Sequence, residues 1–410
     1  MFRNRLLMAM ACLTAVGICS GADWWQFRGP NGTCYIADAK IPIDFSDSKG
    51  IAWKVELPGK GPSSPIVIGN KVIVTCSSGA NQDQLQVVCV DATSGKILWQ
   101  QRFWATGSCR CHPLSANAAP TPTTDGQFVY AFFSSNDLAC LDLDGNLIWY
   151  RGFSFDFPKA RNDTGMSSSP VVARGLVVVQ IESQGKSFCA AVDAKTGETR
   201  WQVDRPADAS WSSPMLIPST PSRPDLVLLQ SKGKSSLLSI LDGRPVAEVE
   251  GQCGLIPSSS LAGERLYIPL DGTTAFDLDP GGQLKKVWNS PRLKTSTSSL
   301  VVAPDQILTI ERNGVLNSFD SKTGERKWQQ RLADGEEIQG GFWATPIMIR
   351  DHFYFFAQNG QARVAKIKAD GLEVVHKFDF GETMLGSPAI SGDAMYVRGD
   401  KHLWKIANAP

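Results

Sequence analysis

The sequence predicts an all-β fold, an eight-bladed β-propeller of four-stranded antiparallel blades that an N-terminal strand closes. Three observations predict it. A strand-opening motif recurs about every 39 to 55 residues, and a second motif repeatedly places a tryptophan after a tight turn. The 410 residues also include 37 glycines and 24 prolines, which suits a chain of many short strands and turns.

The strand-opening motif is Ser-Pro or a close equivalent, followed by apolar residues, a polar turn and another apolar strand. Four short strands fill the interval between openers, which is the size of one propeller blade. The openers are Ser64-Pro65, Ala119-Pro120, Ser169-Pro170, Ser213-Pro214, Ser260-Leu261, Ser299-Leu300, Thr345-Pro346 and Ser387-Pro388. Eight openers predict eight blades.

The second motif has glycine four residues after an aspartate and tryptophan eight residues after it. It occurs from Asp91 to Trp99, from Asp193 to Trp201 and from Asp320 to Trp328. The aspartate accepts hydrogen bonds from the turn backbone, and the glycine takes the positive-φ position. The following strand then delivers a large ring, which buries roughly 200 Å² between neighbouring sheets. The predicted docking residues are Trp53, Trp99, Trp149, Trp201, Trp288 and Trp328.

The two ends of the chain supply one blade together in this prediction. The last unit, from Ser387, holds only three strands, whereas a strand at about 51–57 precedes the first opener. We predict that this strand completes the eighth blade. Such closure removes the exposed sheet edges that invite aggregation.

These units resemble the pyrroloquinoline-quinone (PQQ)-like propeller repeat, with its Ala-x-Asp-x-x-Thr-Gly-x-x-x-Trp docking motif. The segment from Ala191 to Trp201 matches that pattern position by position. The segment from Trp24 to Gly32 resembles the opening of exported members of the family. The resemblance extends from residue 24 to about 406 and implies the propeller fold. The family includes exported members that resemble the outer-membrane assembly propeller lipoprotein, and that lipoprotein acts by binding partners.

The first 22 residues are typical of a signal peptide. Arg3 and Arg5 precede an apolar stretch from Leu6 to Ile18, and small residues follow at Ser20–Ala22. We therefore expect residues 23–410 to form one propeller domain in the periplasm or outside the cell. Cys19 follows a bulky residue, which favours simple secretion over lipid anchoring. No other segment is apolar and long enough to cross a membrane, and a net charge of +1 gives no reason to expect nucleic-acid binding.

Eight cysteines follow the predicted signal peptide. A symmetric hairpin of residues 71–76 and 85–90 would place Cys76 opposite Cys89 and allow a disulfide, with buried free thiols as the alternative. The sequence Cys109-Arg110-Cys111-His112 is one residue too short for covalent haem attachment. The few histidines are scattered over separate blades, so no metal site is predicted.

The predicted binding site is the mouth of the central channel. Connections that enter the innermost strands all emerge on one face, and long loops on a rigid scaffold commonly carry binding residues. The alternative is that the aromatic residues simply plug the channel. The predicted binding residues are Trp104, His112, Phe155, Arg161, Trp211 and Trp343. The hydroxyls of Ser64, Ser169, Ser213, Ser260, Ser299, Thr345 and Ser387 should form a ring near that mouth, chiefly with a structural role.

Two functions follow from the family resemblance. The first is an exported, non-enzymatic, monomeric scaffold that binds an envelope protein, peptide or glycan and needs no cofactor. The alternative is a quinoprotein dehydrogenase that oxidises alcohols or sugars with PQQ and Ca²⁺. The sequence favours the first, because it has no adjacent cysteine pair of the kind that stacks on the quinone and no matching set of Ca²⁺ ligands.

Overall fold

The computed structural model describes residues 23–332 and 340–408. The predicted signal peptide lies outside these residues. The regular secondary structure of the described residues is almost entirely β-strand, and no helix among them has the length and apolar character of a membrane span.

Two strands precede the first blade, and the first four blades follow in chain order. The early strands are β1 (Tyr35–Ile36) and β2 (Ile51–Glu56). Blade 1 contains β3 (Ile66–Ile68), β4 (Lys71–Ser78), β5 (Gln84–Asp91) and β6 (Ile97–Trp104). Blade 2 contains β7 (Thr123–Thr124), β8 (Phe128–Phe132), β9 (Asp137–Asp142) and β10 (Leu147–Gly152), and the short helix α1 (Phe153–Asp156) follows. Blade 3 contains β11 (Val171–Ala173), β12 (Leu176–Ile181), β13 (Phe188–Asp193) and β14 (Thr199–Asp204). Blade 4 contains β15 (Met215–Ile217), β16 (Leu226–Ser231), β17 (Lys234–Ser239) and β18 (Pro245–Glu250).

The remaining strands complete the circle. Blade 5 contains β19 (Ser260–Ala262), β20 (Arg265–Ile268), β21 (Thr273–Leu278) and β22 (Leu284–Ser290). Blade 6 contains β23 (Val301–Val302), β24 (Gln306–Ile310), β25 (Val315–Asp320) and β26 (Arg326–Arg331). Blade 7 contains β27 (Ile347–Ile349), β28 (His352–Phe356), β29 (Gln361–Ile367) and β30 (Leu372–Asp379). Blade 8 contains β31 (Ala389–Ser391), β32 (Ala394–Arg398), β33 (His402–Ala407) and, as its outermost strand, β2.

This arrangement confirms the predicted eight-bladed propeller and its closure. Strand β2 pairs antiparallel with β33, with Trp53 opposite Lys405, so the two ends of the chain share blade 8. Blade 7 differs from the prediction, because β1 adds to β27 in parallel and makes a five-stranded sheet. The short segment before β2 is therefore held against the innermost edge of a blade.

The turn-and-tryptophan motif acts between blades. The indole Nε1 of Trp99 donates to the Leu143 carbonyl of blade 2 at 3.0 Å. Gly145 in that turn has φ +88°, and a Cβ there would lie 2.6 Å from the Trp99 ring. The glycine is thus required both for the turn and for contact with the indole of the preceding blade. The same contact joins Gly95 to Trp53, Gly197 to Trp149, Gly243 to Trp201 and Gly324 to Trp288.

The core lies between neighbouring sheets. Between blades 3 and 4, for example, Val178 and Trp201 of one sheet pack in a buried cluster with Val227 and Leu238 of the next. Trp328 is buried between blades 6 and 7 in the same way, in a cluster that includes Val364. Each interface therefore joins two sheets by apolar contact, as expected for a propeller.

The predicted pairing of Cys76 with Cys89 is wrong. In the β4–β5 hairpin, Cys76 lies opposite Gln86 and Cys89 lies opposite Ile73. Cys76 and Cys89 belong to different buried clusters and are not bonded. The prediction ended the first strand at Cys76 and began the second at Leu85, whereas the strands extend to Ser78 and from Gln84. The turn is therefore shorter than predicted, and the register differs by three residues from the one that would pair the two cysteines.

Candidate functional site

Eight hydroxyls form a closed circle of hydrogen bonds around the channel. In each blade, the residue two positions before the innermost strand offers its hydroxyl oxygen to the backbone N–H of the equivalent residue in the preceding blade. The Ser169 amide, for example, donates to the Ser213 hydroxyl at 2.9 Å, and the Ser387 amide donates to Ser64 at 3.0 Å and so closes the circle. The members of this hydroxyl ring are Ser64, Thr121, Ser169, Ser213, Ser258, Ser299, Thr345 and Ser387.

The structure corrects two of the predicted openers. Thr121, rather than Ala119, opens blade 2, and Ser258, rather than Ser260, belongs to the ring in blade 5. Ser260 instead accepts a hydrogen bond at 2.7 Å from the guanidinium of the buried Arg28. Counting back two residues from the strand start finds both residues, whereas a search for Ser or Thr before Pro finds Thr121 but misses Ser258, which Ser259 follows.

The N-terminal segment crosses the far end of the channel. Its backbone forms hydrogen bonds with the innermost strands of five blades, through Trp24, Trp25, Asn31, Thr33 and Cys34. The Arg28 guanidinium fixes the middle of the segment, because it donates to the carbonyls of Ser258 and Ser259 at 3.0 and 2.9 Å. This route places Phe27 in the wall of the channel cavity.

The cavity at the channel mouth, which we call the cup, has a volume of about 350 Å³. Seven of the eight ring residues line it, and Ser258 does not. Above them, the wall is largely apolar, with Met166, Trp211, Trp343 and Leu385 among the lining residues. No Asp, Glu, Lys or Arg is found among the described residues of that wall.

The predicted binding residues divide into two groups. His112, Trp211 and Trp343 line the cup. Trp104 and Phe155 do not; their side chains are 66% and 76% exposed on the outer part of the same face. Arg161 is exposed and also lies outside the cup wall.

Hydrogen bonds fix the two indoles of the cup. Trp211 Nε1 donates to the Gly165 carbonyl at 2.7 Å, and Trp343 Nε1 donates to the Gly340 carbonyl at 3.0 Å. The guanidinium of Arg312 lies over the Trp343 ring, 5.1 Å from its centroid. Both rings are therefore held in place before any ligand arrives, which lowers the entropic cost of binding.

The cysteine-rich loop forms one side of the cup. The His112 amide donates to the Thr164 carbonyl at 2.9 Å, which ties this loop to the next one. Burial raises the pKa of the Cys109 thiol to about 11, so this group is a poor nucleophile at neutral pH. Burial also raises the pKa of Cys111. No cluster of three potential metal ligands occurs in residues 23–332 and 340–408.

Fold and site together define an eight-bladed propeller with a largely apolar cup at one end of its channel. The family described as outer membrane protein assembly factor BamB matches residues 29–190, 86–330 and 312–409. These matches cover most of the chain, so the protein belongs to this family.

Curated relatives and solved structures agree with this assignment. The chain is 26% identical to BamB of Moranella endobia over 53% of this chain and 51% of that protein. It is 22% identical to BamB of Burkholderia pseudomallei over 87% of this chain and 89% of that protein. The crystal structure of BamB from Moraxella catarrhalis superposes with a TM-score of 0.62 at 15% identity, covering 87% of this chain and 98% of that one. A europium-containing methanol dehydrogenase gives a TM-score of 0.71 at 12% identity, covering 92% and 89% of the two chains, a likeness of fold alone.

The cup does not fit PQQ with Ca²⁺, the cofactors of the alternative hypothesis. Ca²⁺ takes six to eight oxygen ligands, commonly with carboxylates among them. The quinone itself carries carboxylates that need cationic partners once they are buried. The described residues of the wall include no Asp or Glu that could bind Ca²⁺ and no Lys or Arg that could pair with the quinone carboxylates. Similarity of fold to a dehydrogenase therefore does not extend to the residues that would hold the cofactors.

Proposed function

We propose that this protein is an exported, non-enzymatic propeller scaffold of the cell envelope that takes part in outer-membrane protein assembly. Its membership of the BamB family supports this role. The largely apolar wall of the cup, which carries no Asp, Glu, Lys or Arg among its described residues, also suits binding. A partner would be engaged on the face that carries the cup.

The observation that carries the proposal is an aromatic sector on that face, formed by Trp104 and Phe155. Trp104 ends β6, and its carbonyl accepts a hydrogen bond at 3.0 Å from the Tyr150 hydroxyl of blade 2. The next residues of that loop approach α1 closely, since a Cβ on Gly107 would lie 2.2 Å from the Ser154 hydroxyl. The loop after β6 and helix α1 therefore pack against each other, and this shared, rigid support carries the exposed rings of Trp104 and Phe155.

Exposed aromatic side chains on a rigid base are typical anchors of protein interfaces. At 66% and 76% exposure, Trp104 and Phe155 leave apolar area in water that a partner would cover. We therefore propose that the aromatic sector docks a protein of the outer-membrane assembly machinery.

Photo-cross-linking tests this proposal. A photoreactive residue replaces Trp104, Phe155 or, as a control, Leu98, which is 48% exposed on the outermost strand of blade 1. We expect residues 104 and 155, but not 98, to cross-link one outer-membrane assembly component in intact cells. With that partner purified, Trp104→Ala combined with Phe155→Ala should weaken binding at least about tenfold, as loss of interface anchors does. Equal cross-linking at all three positions, or unchanged affinity of the double variant, would refute the proposal.

A further inference from the structure

We infer that the cup binds one neutral sugar ring. The inference rests on the proposed binding role of this face and adds the chemical class of a ligand. Its first support is the hydroxyl ring, whose members are all at least 94% buried. Each of these oxygens accepts a backbone N–H, yet no acceptor in the described part of the chain receives the hydroxyl hydrogen of any of them.

Unused donors of this kind point to a ligand. Seven of these hydroxyls line the cup and are otherwise buried, so an acceptor for their hydrogens can come only from what occupies the cup. Each ring oxygen also keeps a second lone pair, so it can donate one hydrogen bond and accept another. The hydroxyl groups of a sugar have the same double capacity. A circle of such groups can therefore match several sugar hydroxyls at once.

The walls above the ring favour a ligand with an apolar face. Trp211 and Trp343 line the cup, and hydrogen bonds through their Nε1 atoms fix both rings. A sugar presents C–H groups on the faces of its ring and hydroxyls around its edge. Aromatic side chains can pack against the faces while the hydroxyl ring receives the edge.

Charge and size restrict the ligand further. The described wall carries no Asp, Glu, Lys or Arg, so none of these side chains offsets the desolvation energy that burying an ionic ligand there would cost. A volume of about 350 Å³ lies near the lower end of known ligand sites, which suits a small molecule. Phe27 enters the cavity from the segment that crosses its far end, so the cup accepts a terminal unit rather than a chain threaded through.

Calorimetric titration of the full mature protein tests the inference. The probes are methyl glycosides of glucose, galactose, mannose and N-acetylglucosamine, with glucuronate as the charged counterpart of glucose. We expect saturable one-site binding of at least one neutral glycoside with a Kd below about 1 mM. Glucuronate should bind at least about tenfold more weakly than methyl glucoside if glucose is the preferred sugar.

Two serine variants distinguish the loss of a contact with the sugar from the loss of a hydrogen bond within the hydroxyl ring. Ser213→Ala and Ser258→Ala each remove one hydroxyl that accepts a backbone amide, but only Ser213 lines the cup. Ser213→Ala should weaken the sugar complex about tenfold, whereas Ser258→Ala, which removes no hydroxyl that lines the cup, should weaken it less than about threefold. Absence of saturable binding for all four glycosides, or equal losses in the two variants, would overturn the inference.

The sugar can come from a free monosaccharide or from the end of a glycan. An oligosaccharide that ends in the preferred unit should bind as tightly as the methyl glycoside if the source is a glycan end, and more weakly if it is a free sugar. Failure of all sugars with intact cross-linking at Trp104 and Phe155 would refute only this inference. Failure of that cross-linking would refute the proposed docking function.

Discussion

The outer rim and the inner ring of the propeller join the same blades by different chemistry. At the rim, Trp201 packs flat against Gly243 of the next blade and donates one hydrogen bond to the Ile240 carbonyl at 2.7 Å. At the centre, Ser213 and Ser169 are joined by a single hydroxyl–amide bond. The rim contact buries a large apolar ring, whereas the central contact leaves the hydroxyl hydrogen without an acceptor among the described residues. Contacts that stabilise the fold are therefore concentrated at the rim, and the capacity to bind a small ligand is concentrated at the centre.

The largest expected effect is the loss of a rim tryptophan. Trp201→Ala should lower the free energy of unfolding by about 3–5 kcal/mol, because it removes a buried ring and leaves a cavity between blades 3 and 4. Typical domains are stable by only about 5–15 kcal/mol. Chemical denaturation measures the change. Trp104→Ala is the control, since its side chain is 66% exposed and its loss should cost less than about 0.5 kcal/mol. Similar losses in the two variants would contradict the role given to the rim.

A pair of glycines in blade 3 tests how tightly the indole of the preceding blade packs at the rim. Gly197 and Gly175 have nearly equal φ values of +72° and +71°. A Cβ on Gly197 would lie 2.8 Å from the Trp149 ring, whereas a Cβ on Gly175 would meet nothing within 4 Å. Gly175→Ala should therefore report only the backbone cost, about 1 kcal/mol. Gly197→Ala should cost about 1–3 kcal/mol more, because the indole must move. Equal melting temperatures for the two variants would show that the indole contact is not tight.

A smaller effect is expected at the centre. Ser258→Ala leaves the Ser213 amide without its partner and should cost about 1 kcal/mol. Ser258→Thr keeps a hydroxyl of the kind that Thr121 and Thr345 already supply, so it should be close to neutral. Thermal unfolding together with hydrogen exchange at the Ser213 amide measures both. Protection of that amide in the alanine variant equal to the native level would argue against the ring.

The smallest effect concerns the turn aspartates of the rim. Hydrogen bonds from Arg200 and from the backbone amides of Lys195 and Thr196 lower the pKa of Asp193 in the folded state. A lowered folded pKa adds stability above the unfolded value of about 3.9, and that stability is lost as the pH falls through the folded pKa. Asp193→Asn should lower the melting temperature by about 1–3 °C at pH 7. That difference should shrink steadily as the pH is lowered below about 4. A difference that stays constant down to pH 2 would exclude this charge as its source.

The rim was predictable from sequence because each of its contacts begins in a local pattern. The spacing from Asp193 through Gly197 to Trp201 lies within nine residues and recurs with the same offsets. The sequence of each repeat therefore shows both parts of the contact, the glycine turn and the tryptophan side chain. The closing strand was predictable for a related reason, since Trp53 keeps the docking position in a strand that precedes the first opener.

The centre was harder to predict because its partners are distant in sequence. Thr121 precedes Pro122, but the Ala119-Pro120 pair two residues earlier also fits the opener, and Ser258 begins a run of three serines with no following proline. Phe27 reaches the cup through a segment whose route depends on Arg28 and on strand edges of five blades. Trp104 and His112 belong to one predicted loop, yet only His112 reaches the cup. Loop path and channel geometry decide such positions, and repeat spacing does not encode them.

In the proposed function, the face with the cup binds a partner and does not oxidise a substrate. Titration of the mature protein with PQQ in the presence of Ca²⁺, followed by absorbance and dye-linked alcohol oxidation, tests this most directly. We predict no saturable quinone binding at micromolar concentrations and no dye reduction. A stoichiometric quinone complex that reduces the dye on addition of an alcohol or sugar would contradict the account.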